Sequence, residues 1–263
     1  MMPAVLILAG SRGENCALAA SEGVDHKALI EIEGIPLLAR VHDALLSAGI
    51  TRIGISADAP EVITLARQLG AEVLTPGQGP SESVAQAYGV FGAPMLVTTA
   101  DHALLRPEWV CDFLADTPPS ADVAVLLARR DTVEAALPGN RRTWLRFADG
   151  EWSGCNMFLI ATPRGEAAIA IWQQVEAERK RPWRIAARLG WRSLWFYWRG
   201  KLTLAEALAM LGQRIGVQAA VVAARDGLAA VDVDKASDLA DARRLINSRP
   251  YEPADWPVTD ILG

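Results

Sequence analysis

The chain has 263 residues, 51% of them hydrophobic and 22% charged, with a formal charge of −5. That length can bury one sizeable α/β core, and the negative balance excludes a general electrostatic hold on nucleic acid. Cys16, Cys111 and Cys155 are dispersed and form no CxxC pair, which speaks against a disulfide framework or zinc site and for a reducing cytoplasm.

The elements follow in chain order. Met1 to Leu8 is too short for a signal peptide and runs into a glycine loop, and no apolar run reaches membrane-spanning length. Ala4–Ala9 is a continuous apolar run that suits a strand buried on both faces. Residues 10–27 form a long loop, and Ala28–Ile32 returns as a short strand. Pro36 opens a helix to Ser47 whose leucines share one face. Arg52–Ser56 is a strand, Pro60–Leu69 a helix stopped by Gly70, and Ala71–Leu74 a strand. The loop Pro76–Pro80 leads to a short helix starting at Ser83. Met95–Thr99 is a strand, Pro107–Ala115 a helix and Val123–Ala128 a strand. This alternation implies crossover connections and a mostly parallel sheet, whose ligands gather at the carboxyl ends of the strands.

Beyond residue 130 the pattern loosens. Thr143–Phe147 and Met157–Ala161 read as strands around a Gly-rich turn, and Arg164–Arg181 as a helix. Residues 182–214 read as mostly helical, Val217–Ala223 and Ala229–Val233 as strands, and Ser237–Ile246 as a helix. The proline-containing tail 249–263 reads as irregular. The division expected is one domain over 1–248, with a helical insertion at about 165–216, followed by the tail.

Five clusters could carry chemistry. Leu8-Ala9-Gly10-Ser11-Arg12-Gly13, with Lys27 beyond it, lets backbone N–H groups approach phosphate while Arg12 and Lys27 supply cations. It matches neither G-x-G-x-x-G nor a Walker loop. Asp101, in Thr98-Thr99-Ala100-Asp101-His102, ends an apolar strand and is well placed to hold Mg²⁺ against phosphates. Alternation puts Asp232 and Asp234 on one side of an extended segment, where a cation is a natural partner. The loop Gly77–Ser83 can offer backbone to a base and the Ser83 hydroxyl to a ribose. Asn156 precedes an apolar strand and could bind acceptor hydroxyls. Each cluster also has a plain reading as a turn, a cap or a hairpin. His26 and His102 border these clusters and read as loop contacts, and His42 reads as structural.

In this order, the clusters resemble the nucleotidyltransferase superfamily with the glycosyltransferase-A-like Rossmann fold. That group includes molybdenum cofactor guanylyltransferase and the sugar- and polyol-phosphate cytidylyl- and uridylyltransferases. The resemblance rests on Leu8–Gly13, Lys27-Ala28-Leu29, Asp101, and Asp232-Val233-Asp234-Lys235-Ala236-Ser237-Asp238-Leu239. It covers about 3–160 and 217–246. Ser11 replaces a glycine of the family pattern, and Asn15 stands at its usual arginine.

The resemblance implies a three-layer α/β/α fold with a mostly parallel mixed sheet, nucleotide-diphospho-sugar transferase-like, with a helical insertion. It implies a magnesium-dependent enzyme that transfers NMP from an NTP to a phosphorylated sugar, polyol or acid and releases pyrophosphate. Arg12, Lys27 and Asp101 would be catalytic. Leu8, Ala9, Gly10, Ser11, Gly13, Lys27 and Ser83 would bind nucleotide, and Asn156 the acceptor. Asp101 with Asp232 or Asp234 would bind Mg²⁺. Alternatives are guanylyl transfer to a pterin cofactor and a non-catalytic nucleotide-binding or regulatory module.

Residues 181–202 stand apart. Arg181, Arg184, Arg188, Arg192 and Arg199 fall within a sector of roughly 80° on a helical wheel, bordered by Trp191, Trp195 and Trp198. Such a stripe suits a dimer contact or a peripheral contact with the inner membrane face.

Overall fold

The computed structural model describes residues 2–10, 17–140, 142–177 and 199–248. In chain order the elements are β1 (Ala4–Leu8), α1 (Ala17–Ser21), β2 (Glu31–Ile32), β3 (Ile35–Pro36), α2 (Leu37–Ser47), β4 (Ile53–Ser56) and α3 (Pro60–Gln68). Then come β5 (Glu72–Leu74), α4 (Pro80–Phe91), β6 (Met95–Thr99), α5 (Pro107–Asp116), β7 (Val123–Arg129) and α6 (Arg130–Ala136). The remainder is β8 (Leu145–Phe147), β9 (Gly150–Ile160), α7 (Glu166–Ala177), α8 (Leu204–Ile215), β10 (Ala219–Ala223) and α9 (Ala236–Ser248).

One sheet organises the chain, in the order β10-β7-β9-β6-β1-β4-β5, with β8 paired to β9. β1 is parallel to β4 and β6, β4 to β5, and β7 to β10. β9 runs antiparallel to β6, β7 and β8. The alternation of β1 explains the layers. Val5 and Ile7 enter a core shared with Leu38 and Leu45 of α2, Val62 of α3 and Phe113 of α5. Leu6 faces the opposite way, onto Val84 of α4 and Ile169 of α7. Each fully buried leucine or isoleucine contributes about 2 kcal/mol by leaving water. A third apolar group, Leu127, Trp152 and Leu204, seats α8 on the same sheet. The fold is therefore α/β/α with a mostly parallel mixed sheet, as the resemblance implies.

Several expected elements differ. Residues 28–32 begin not as a strand but as a 3-10 turn, Lys27–Leu29, because the His26 side chain accepts from Ala28 N. Helix α4 starts at Pro80 rather than Ser83, with Gly79 as its N-cap and the proline in its favoured first position. Residues 229–233 form no ladder; Asp226 accepts from Leu228 N and closes a 3-10 turn over Gly227–Ala230. Helix α6 was not expected. Strand β9 is longer than expected and carries Asn156 at φ 50°. Its pairing with β7 shifts register between Val125 and Leu127, as a bulge does.

Among the described residues no helix is long and apolar enough to cross a membrane. The expected Trp/Arg stripe lies almost wholly outside the described residues, and so does the tail 249–263.

Candidate active site

The site forms where the sheet's carboxyl edge meets the segment before α9. Strand β1 ends at Leu8 and is followed by buried Ala9 and exposed Gly10. A Cβ on Gly10 would stand 3.3 Å from the Pro76 Cβ, so a side chain there would crowd the neighbouring loop. Ser11, Arg12 and Gly13 lie outside the described residues.

Lys27 follows its capped turn and is the hub of the site. Its Nζ donates to Asp101 Oδ2 at 2.5 Å and to Asp234 Oδ1 at 2.7 Å. Asp101 is held from its other side by the Thr99 hydroxyl, which donates to Oδ1. Burial lowers the proton affinity of the Lys27 amine, but Asp101 and Asp234 outweigh it, and its pKa is raised above the usual lysine value. Lys27 is thus a fixed cation throughout the physiological range.

Two segments far apart in sequence are joined here by backbone. Val233 N donates to Asp101 O at 3.0 Å, which sets Asp232 and Asp234 on either side of that contact. Asp234 N and Lys235 N both donate to Asp238 Oδ2 at 3.2 Å, fixing the turn into α9. The two aspartates, expected on one side of the segment, face different partners. Asp234 is 64% exposed and turns to Lys27. Asp232 is half-buried, accepting from Arg142 Nη2 and from Asn156 Nδ2, both at 3.2 Å. Burial, then the charges of Asp234 and Asp101, push the Asp232 carboxyl above its ordinary value, with Arg142 opposing.

Asn156 is therefore at the site, but in this structure its amide holds Asp232. Ser83 lies in the first turn of α4. It is only 5% exposed, accepts from Gly77 N at 2.9 Å and donates to Gly79 O at 3.1 Å. Its hydroxyl ties the preceding loop to α4 in this structure. Glu82 accepts from Gln78 N and Glu176 from Ser81 N, pinning the same loop. Arg142 is the residue the sequence did not reveal; nothing in Asn140-Arg141-Arg142-Thr143 separates it from its neighbour. Among the described residues no group of His, Cys, Asp and Glu side chains stands arranged as a metal cage.

The mostly parallel mixed sheet with helices on both faces is that of the nucleotide-diphospho-sugar transferase-like fold class, and a lysine-bridged carboxylate pair lies at its carboxyl edge. The chain belongs to the MobA-like NTP transferase domain family, whose model matches residues 5–148. It is 30% identical over 149 residues to a 3-deoxy-manno-octulosonate cytidylyltransferase from Rhodopseudomonas palustris, a match covering 52% of this chain. The chain spans 58% of the length of that curated relative. A hypothetical transferase from Thermus thermophilus superposes with a TM-score of 0.78 at 29% identity, over 91% of this chain and 100% of that one. A CMP:2-keto-3-deoxy-manno-octonic acid synthetase complexed with CTP shares the fold, with a TM-score of 0.58 at 17% identity over 94% and 99% of the two chains.

Proposed function

We propose that this chain is a nucleotidyltransferase that moves NMP from an NTP to a phosphorylated sugar, polyol or acid and releases pyrophosphate. The observation that carries the reading is the Lys27 ammonium, bound to two carboxylates far apart in sequence, Asp101 and Asp234, at the end of β6, where Ala100 N donates to Leu8 O. The cytidylyltransferase relative supports it. The transferase domain is read as residues 1–248 with its helical insertion, in a cytoplasmic protein.

An acceptor phosphate oxygen attacks the α-phosphorus of the NTP, and the bond to the β-phosphate breaks. Both reactants are anions, so neutralisation and alignment are the protein's main tasks. The backbone of Leu8–Gly13 would approach the phosphates, and Lys27 with Arg12 would take up the charge that grows on pyrophosphate. An ionised acceptor phosphate needs no general base.

The resemblance implies Mg²⁺, which Asp101 with Asp232 or Asp234 would hold through hard carboxylate oxygens, although in this structure Lys27 pairs with Asp101 and Asp234. The bound ion would supply charge neutralisation at the reacting phosphates.

A matrix of the four NTPs against phosphorylated acceptors, read by pyrophosphate release, tests the reading. The expected result is one active NTP–acceptor pair, with release lost in Lys27→Ala and Asp101→Ala. Release that survives both substitutions refutes it. The family match keeps guanylyl transfer to a pterin as a second reading; activity with GTP and a pterin phosphate alone would select it.

A further inference from the structure

The loop between β5 and α4 is held more firmly than a connection needs. It leaves the carboxyl end of β5, and β4 lies between β5 and β1. Its Pro76 shares a wall with the glycine turn, since a Cβ on Gly10 would stand 3.3 Å from the Pro76 Cβ. β1 pairs with β4 on one side and with β6 on the other. The loop therefore stands on one flank of the turn, and Asp101 with its Lys27 partner on the other.

Helix α4 does not cap itself. Its N-cap is Gly79, which has no side chain to offer, while the first N–H groups of a helix need acceptors. Ser81 N donates instead to Glu176 Oε2 of α7 at 3.0 Å. A helix N-terminus otherwise attracts phosphate; here a carboxylate has taken it. The same carboxylate lies against Gly79, where an added Cβ would run into Oε1. From the other flank Glu82 accepts from Gln78 N at 2.7 Å, and a Cβ on Gly77 would stand 2.5 Å from the Glu82 Cβ. The backbone of 77–79 thus runs between two glutamates, in a space that suits glycine.

Glu82 belongs to the helix that the loop enters, but Glu176 comes from another. α7 lies antiparallel on α4: the Tyr88 hydroxyl reaches Pro163 O at 3.5 Å towards one end, and Ser81 N reaches Glu176 at the other. Ile169, Trp172 and Glu176 share a face by their spacing, and the first two join the apolar layer of Val84 and Ala87. Packing fixes where the Glu176 carboxylate stands, and the carboxylate fixes the loop.

We propose that Glu176 is the positioning residue that sets the backbone of 76–79 against the base of the NTP, and that it thereby sharpens the choice among bases. This rests on the nucleotidyl-transfer reading above. Backbone N–H and C=O groups tell one base edge from another only when they are held in place. A loop free to shift would adapt to each base and discriminate less.

The test uses the full chain with Mg²⁺ and the variants Glu176→Ala and Glu176→Gln, in which α7 keeps its apolar seat on α4. Equilibrium dialysis, well below the melting temperature, gives the dissociation constant of each of the four NTPs. Glu176→Ala is expected to weaken the preferred NTP about tenfold and the others much less, so that the preference narrows. Glu176→Gln, whose amide oxygen can still accept from Ser81 N, keeps most of the preference. An unchanged preference in Glu176→Ala, or equal weakening of all four NTPs, overturns the inference, and so does a wild-type chain that holds the four alike. A wild-type chain that releases no pyrophosphate with any acceptor, yet shows the preference and its loss in Glu176→Ala, sinks the transfer reading and leaves this inference standing. Pyrophosphate release with an unchanged preference in the variant does the reverse. A chain that binds no NTP sinks both.

Discussion

The two halves of this chain solve different problems. From β1 to β7 it repeats strand and helix, and each strand feeds two layers through alternating side chains, as Val5, Leu6 and Ile7 show. After β7 the chain turns back antiparallel in β9, leaves the ladder, and reaches the site through a 3-10 turn. The first half contributes the edge, with Gly10, Lys27 and Asp101. The second contributes the groups that complete it, Arg142, Asn156, Asp232 and Asp234. Regular structure builds the platform, and irregular structure, tied down by long-range hydrogen bonds, brings in the remaining chemistry.

The largest expected effect lies where the halves meet. Asp101 touches Lys27 through its side chain and Val233 through its carbonyl. Asp101→Asn keeps that backbone contact but removes the charge. Pyrophosphate release is expected to fall about 100- to 1000-fold, with the urea midpoint nearly unchanged. A midpoint that collapses along with activity would mean the Lys27–Asp101 pair holds the fold rather than the reaction.

The same comparison explains what the sequence disclosed. Apolar runs such as Met95–Thr99 coincide with their strand because both faces are buried and the run has sharp ends. Pro36, Pro60 and Pro107 mark helix starts because a missing N–H costs nothing there. Acidic residues at 101, 232 and 234 were visible as candidates, and alternation in 231–234 put the last two on one side of the segment without separating their roles. The Val233–Asp101 bond separates them into one facing Lys27 and one facing Arg142. No local pattern encodes that bond, nor the register shift and left-handed Asn156 that bring its amide to Asp232. At Ser83 a Gly/Pro/Ser loop looks alike in sequence whether its hydroxyl faces a ligand or its own backbone, as it does here.

The second effect tests the platform alone. His42 is buried in α2, and burial lowers its imidazole from 6.5 to about 4. The folded state therefore binds fewer protons than the unfolded state across that window. The stability this group contributes is intact above pH 6.5 and is lost as pH falls toward 4, amounting to about 3 kcal/mol. His42→Leu should flatten the fall in urea midpoint between pH 7 and pH 4.5 relative to wild type. An equally steep fall in the variant would assign the acid sensitivity elsewhere.

A smaller effect tests how the second half reaches the edge. A Cβ on Gly227 would lie 2.3 Å from the Thr132 carbonyl oxygen and 2.5 Å from the Val133 Cα, both backbone of α6. Gly227→Ala must push the 3-10 turn off α6, at a cost of about 1–3 kcal/mol. Asp232 and Asp234 follow that turn directly, so activity should drop further than lost stability alone explains. Activity per folded molecule, measured well below the melting temperature, checks this. A value equal to wild type would show that the Val233–Asp101 bond positions the aspartates without help from the turn.

The smallest effect belongs to α8, which is in the second half by sequence but serves the platform. Thr203 accepts from Glu206 N at 3.2 Å, and Glu206 accepts from Thr203 N at 2.9 Å, a reciprocal cap. Leu204 N donates to Asp149 Oδ1 at 3.0 Å, and the Leu204 side chain packs with Leu127 and Trp152. These contacts attach α8 to β7 and β9 with no tie to Lys27, Asp101 or Asp234. Thr203→Ala removes the side-chain acceptor and leaves the packing. It should cost about 1 kcal/mol, seen as a small fall in urea midpoint, with KM for both substrates unchanged. If KM for either substrate rises instead, α8 takes part in binding, and the line between platform and chemistry has to be redrawn to include it.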